Sequence, residues 1–189
     1  MSTPVPAGAE RRVAAVVAAV VRQALADAGA TVVHVQAPDT PAGALLLDWL
    51  VGAGLDAVPA GPEAAAGGSV LDAHPADKTW LLLAGAPPTA ALLPLGDLWG
   101  SRVAALASGW QAPPAVAALV ERCGGVDALD GALMAWIDGR AGADDALHGL
   151  PAGAASALRE AFEEGRLHRR RAGLVPKLGG RTVGIDLFD

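Results

Sequence analysis

The feature that most restricts the fold is a β-branched run, Thr31, Val32, Val33, His34 and Val35, followed at once by the breakers Ala37, Pro38, Asp39, Thr40 and Pro41. Beyond them, apolar residues recur at Leu45, Leu46, Trp49 and Leu50 up to Gly52. β-Branched side chains favour extended backbone, and proline ahead of an apolar period of three and four favours a helix start. The segment reads as strand, loop and helix. Further apolar pieces follow at 55–58 and 70–71, separated by a low-complexity loop at 61–68, and residues 79–84 form the strongest candidate for a buried strand. Strands alternating with helices imply an α/β fold with a mainly parallel sheet flanked by helices.

Helical periodicity frames that unit on both sides. Ahead of it, Val13, Val16, Val17, Val20, Val21 and Leu25 share one face of a helix ending near Gly29, with Arg12, Arg22 and Asp27 on the polar side. From Asp97 onward the pattern is helical, through Leu98, Val103 and Leu106, then Val116, Leu119, Val120 and Cys123 behind Pro113 and Pro114, then Leu129, Leu133, Met134, Trp136 and Ile137. A last helix is expected over 152–166. The C-terminal half is therefore expected to be helical, and 189 residues at 52% hydrophobic content fit one domain spanning 1–189.

Charge sorts the partners. A net charge of -6 disfavours a surface that grips nucleic acid, which needs a basic face. Yet six of the 14 Lys and Arg residues, Arg166, Arg169, Arg170, Arg171, Lys177 and Arg181, crowd into sixteen positions, so the segment 166–189 is a local basic patch. One cysteine, Cys123, forms no internal disulfide, and the N-terminal residues lack the pattern of a secretory signal. The apolar stretches near 45–55 and 80–86 are too short for a membrane span. A soluble protein of the cytoplasm is the expectation.

Most catalytic chemistries find no footing. His34, His74, His148 and His168 are too scattered for a zinc site, and Asp144 and Asp145, being adjacent, point apart on a helix. Ser69, Ser101, Ser108 and Ser156 lack a nucleophile elbow, and Cys123 falls on an apolar helix face. Gly52 and Gly54 open like a dinucleotide fingerprint but follow a helix, which makes them a helix stop. In the 36–41 loop, Pro38 and Pro41 have no N–H to offer a phosphate.

Taken in order, the strand-loop-helix at 32–50, the run Thr79, Trp80, Leu81, Leu82, Leu83, Ala84, Gly85, and the stretch Leu92, Leu93, Pro94, Leu95, Gly96, Asp97, Leu98, Trp99 resemble the ammonia-dependent NAD synthetases. Residues 129–140 are similar to that family's acidic helix and stop, and His168, Arg169 and Arg170 with a following proline resemble its C-terminal basic segment. The resemblance implies an N-type ATP pyrophosphatase with the three-layer fold of the adenine nucleotide alpha hydrolase-like superfamily, a homodimer, and ATP or a dinucleotide as ligand. The family's Ser-Gly-Gly-x-Asp-Ser loop corresponds here to Gln36, Ala37, Pro38, Asp39, Thr40 and Pro41, which keep neither serine nor glycine. Its second nucleotide segment corresponds to Gly85, Ala86, Pro87, Pro88 and Thr89, without the acid.

Three readings follow. In the first, the chain keeps the scaffold, has lost adenylation, and at most binds a nucleotide in a cleft at the strand ends formed by Gln36, Asp39, Thr40, Gly85 and Thr89. In the second, Arg169, Arg170, Arg171 and Lys177 fold over phosphates in a working ATP-dependent enzyme. In the third, the scaffold builds a dimer or docks a partner. Trp49, Trp80 and Trp136 then belong to the core, while Trp99 and Trp110 serve as exposed anchors.

Overall fold

A computed structural model describes residues 7–61, 69–85, 87, 91–139, 142–169 and 174–178. The chain opens with α1 (Ala7–Ala28), whose Val17, Val21, Ala24 and Leu25 are buried at the expected helical spacing, and Gly29 ends it with a positive φ of 62°. Next come β1 (Val32–Val35), α2 (Pro41–Gly52), β2 (Ala57–Pro59) and β3 (Val70–Ala73). The three strands form a parallel sheet in the order β2-β1-β3, with Val33 opposite Ala57 on one side and Leu71 on the other. Single bridges extend the sheet beyond β3, from Ala73 to Leu92 and from Leu92 to Leu174. The α/β class and the parallel sheet match the sequence reading.

One sheet face is committed to packing. Val33, Val35 and Ala73 share a core with Val17 and Val21 of α1 and with Leu46, Trp49 and Leu50 of α2. Arg22 of α1 donates to the Ala53 carbonyl at 2.9 Å, where α2 ends, and so pins the two helices together with a cation at a helix C-terminus.

The rest of the described chain is helical: α3 (Lys78–Ala84), α4 (Gly100–Leu106), α5 (Pro114–Cys123), α6 (Val126–Leu133) continued by a π turn (Met134–Asp138), α7 (Ala143–Leu147) and α8 (Ala154–Arg169). They enclose a second core of Leu81, Leu82, Leu93, Leu119, Leu129, Leu133 and Leu158, in which Cys123 is buried. Burial raises the Cys123 thiol above its ordinary range, which fits an inert packing role. No helix among the described residues is long and apolar enough to cross a membrane.

The strongest strand expectation, residues 79–84, is corrected: the segment is helix α3. Asp77 accepts a hydrogen bond from the Trp80 N–H at 2.9 Å and caps the first turn. Because α3 is wrapped by α8, α5 and α4, it is apolar nearly all round, and such a helix has the same hydropathy as a buried strand. The ladder position beside β3 goes instead to Leu92, whose N–H donates to the Asp72 carbonyl at 3.0 Å.

Candidate binding site

Two loops meet where the strands end. The chain leaving β1 runs through Gln36 to Thr40, and the chain leaving β3 runs through Pro75 to Asp77. With the 110–114 segment they line a slot of about 70 Å³, walled by Trp80, Trp110, Pro75, Pro113 and Pro114, with Thr40, Asp77 and Gln111 as its polar lining. That volume holds about five waters, or one small ring. Crevices at the carboxyl ends of parallel strands are the usual ligand sites of such sheets.

Asp77 is the chemical centre of the slot. Its residue is 1% exposed, and its carboxylate accepts from the Trp80 N–H through Oδ1 and from the Trp110 indole Nε1–H through Oδ2. Burial pushes its pKa from 3.8 up to about 7, the Trp110 indole and the Trp80 and Thr79 amides pull it down, and Asp130 pushes it further up. Gly100 makes room for the indole, since a Cβ there would sit 3.0 Å from Trp110 Nε1. Just outside the lining, the His74 ring packs edge-on to Trp80 at 5.1 Å. Its Nδ1 accepts from the Ala76 N–H at 3.0 Å, and burial lowers its pKa to about 4, so the imidazole is neutral near pH 7.

Behind Asp77 the first turn of α3 is held by a buried polar web. Thr79 donates to Asp130 Oδ1 at 2.5 Å and accepts from the Gly100 N–H at 2.9 Å, while Asp130 Oδ2 accepts from the Ser101 N–H at 2.6 Å. Burial is the largest influence on Asp130 and raises its pKa. Lys78, itself buried, donates to Asp138 of the π turn at 3.3 Å and lies 4.4 Å from the Trp99 ring centroid. These bonds position the slot wall.

The residues singled out from sequence scatter around this centre. Thr40 lines the slot, but its side chain is occupied: it accepts from the Gly43 N–H at 3.1 Å and donates to the Ala37 carbonyl at 2.8 Å. Pro41 at the first position of α2 has no N–H, so this helix start is closed upon itself rather than aimed at an anion. A Cβ on Gly43 would lie 2.0 Å from the Ala37 oxygen, so loop and helix are pressed together. Gln36 turns to Asp72, donating at 3.0 Å, in a group that includes His34 on the sheet; Asp39 is exposed and outside the slot lining. Gly85 caps the far end of α3, roughly 12 Å from Asp77 at the helical rise per residue. Thr89 and Arg170 lie outside the described residues, as does the side chain of Arg169.

Trp110 is corrected from exposed anchor to slot wall, because its indole N–H is spent on a buried carboxylate. Trp80 packs against the second core, as assigned, and its half-buried ring also faces the same slot. Asp77 itself escaped notice, although an aspartate directly ahead of a helical turn and three residues before a tryptophan is a readable N-cap signal. Asp144 lies in the first turn of α7, where it is exposed and pairs with Arg159. Among the described residues no group of three or more His, Cys, Asp or Glu is placed to hold a metal ion. Compared with known proteins, the chain matches no family model, no curated protein and no solved structure.

Proposed function

We infer that this chain is a small-ligand-binding protein, a shortened NAD synthetase-like scaffold of the three-layer adenine nucleotide alpha hydrolase-like type that no longer adenylates a substrate. The single observation carrying the reading is the slot between Trp80 and Trp110 at the ends of β1 and β3, with a buried carboxylate on its wall. Two indoles and three prolines favour a flat, single-ring group, and a nucleotide would enter base first. The loss of adenylation is supported by the self-capped α2, because a developing phosphorane needs amides, cations or a metal that this helix start does not offer.

Adenosine, nicotinamide, ATP, NAD and nicotinic acid adenine dinucleotide, titrated against indole fluorescence and heat, test the reading. At least one ring ligand is expected to quench emission in wild type and not in Trp110→Ala, with ATP binding no tighter than adenosine. Silence from the whole panel, joined by silence from the organic cation considered below, refutes it. Pyrophosphate release from ATP in the presence of ammonia, abolished by Arg170→Ala, would instead establish the enzyme reading with the C-terminal arginines over the phosphates.

Self-association is supported by a separate surface. A groove of about 290 Å³ between α1 and α2 is lined by Arg11, Ala14, Ala15, Asp48 and Trp49, next to the exposed apolar Val16 and Val51. Arg11 on one rim and Asp48 on the other suit a two-fold pairing in which each copy's arginine meets its partner's aspartate.

A further inference from the structure

The slot carries one ionisable side chain on its lining, and it is an acid. Asp77 is 1% exposed, and its hydrogen-bond donors, the Trp80 and Thr79 amides and the Trp110 indole, are all neutral. The charged and titratable groups around it leave this unchanged. Lys78 on the same helix turn is committed to Asp138 and the Trp99 face. Asp130, from α6, is a second acid, raised by burial, whose electrostatic influence pushes the Asp77 pKa further up. His74, at the end of β3, is neutral near pH 7. A buried carboxylate among neutral dipoles and beside a second acid is costly in its ionised form, and a cation brought beside it removes that cost. The other walls suit such a guest: indole rings attract cations, and Pro75, Pro113, Ala42 and Ala112 offer apolar surface to alkyl groups.

Resting on the reading of the slot as a ligand site, we propose that its ligand is an organic cation of about one ring in size, a quaternary or protonated amine whose charge is met by Asp77 between Trp80 and Trp110. Once ionised, the same carboxylate disfavours an anionic group seated directly beside it. Since Asp77 holds its proton up to about pH 7 in the empty slot, binding a cation expels that proton, and affinity rises with pH through neutrality.

The probe is choline, compared with 3,3-dimethylbutan-1-ol, its neutral isostere in which carbon replaces the charged nitrogen. Both are titrated into the full chain at pH 8 and pH 5.5 and followed by heat and indole fluorescence. Choline is expected to bind at least tenfold tighter than the alcohol at pH 8, with the preference shrinking severalfold at pH 5.5 as Asp77 takes up its proton. Calorimetry in buffers of different ionisation heat should register proton release on choline binding near pH 7. Asp77→Asn should lose the preference; should that variant fold poorly, the wild-type pH comparison and the proton release still decide. Equal binding of choline and the alcohol, or a preference unchanged between the two pH values, overturns the cation inference and leaves the slot as a neutral-ring site. Binding of adenosine or nicotinamide without any binding of choline has the same consequence. Silence from choline, the alcohol and every ring ligand overturns the slot reading itself.

Discussion

Asp77 couples the slot to folding stability by an amount that can be measured. Its folded-state pKa is raised from 3.8 to about 7. Between those values the folded chain holds a proton that the unfolded chain has released. Stability therefore falls as pH rises, by about 1.4 kcal/mol per unit and about 4 kcal/mol over the window. His74 works in the opposite sense: its pKa is lowered from 6.5 to about 4, so the unfolded chain holds the extra proton there. Stability from His74 rises with pH through that window by about 3 kcal/mol. The two slopes nearly cancel between pH 4 and 6.5, and only the Asp77 decline, about 1 kcal/mol more, continues above it. Asp77→Asn isolates the effect. The asparagine oxygen still caps Trp80, but its NH₂ faces the Trp110 N–H, donor against donor, at a pH-independent cost of about 1–3 kcal/mol. Urea unfolding of both proteins at steps from pH 4 to 8.5, followed by indole emission, should show the variant gaining about 4 kcal/mol on wild type across the range. The influence of Asp130 on Asp77 is already contained in the raised Asp77 value. Two curves parallel within about 1 kcal/mol would refute the raised carboxyl and, with it, the idea of a charge held back in the slot wall.

Three further outcomes test the frame around the slot. Gly43→Ala forces a Cβ onto the Ala37 oxygen and should cost about 3 kcal/mol in thermal or urea unfolding; a neutral result would mean the 37–43 turn relaxes freely. Thr79→Val strips the hydroxyl from Asp130 and the Gly100 N–H and should cost about 2–4 kcal/mol, whereas Thr79→Ser should restore most of it. Light scattering should report a dimer for wild type and a monomer for Val51→Asp, which places a charge beside the α1–α2 groove; a monomeric wild type removes the dimer proposal.

What was legible in the sequence was whatever local periodicity decides. Val17, Val21 and Leu25 fall on one helix face in any context, and Val32 to Val35 have few alternatives to a strand beside Pro38 and Pro41. Cys123 in the core and Gly54 past the end of α2, with φ of 74°, were readable for the same reason. Residues 79–84 were not, because hydropathy distinguishes the two sides of an element only when one of them meets water, and α3 is enclosed. The site was half visible. Thr40 lies where the strand-end rule puts a ligand loop, yet the walls come from Trp80 and from Trp110 and Pro113, more than thirty residues beyond Asp77 in the chain. A pairing such as Asp77 with Trp110 leaves no periodic trace, and it arises only once α3 has become a helix capped by Asp77.

Two buried aspartates flank the first turn of α3, and comparing them locates the chemistry. Asp130 is enclosed by Thr79 and by the amide of Ser101 and is not part of the slot lining; its bonds tie α6 to α3 and α4. Asp77 has a similar count of donors and similar burial, but one of its donors is an indole that also walls an opening. A guest at Asp130 would have to break the packing of three helices, whereas Asp77 already borders an opening. At the same time the start of α2, where an α/β protein ordinarily receives an anion, is closed by Thr40, Pro41 and the contact of Gly43 with Ala37. The slot therefore lies one loop along the sheet from the closed start of α2, at the end of β3, and the polar group on its wall is a carboxylate instead of a set of helix amides, which is why the proposed guest is a cation.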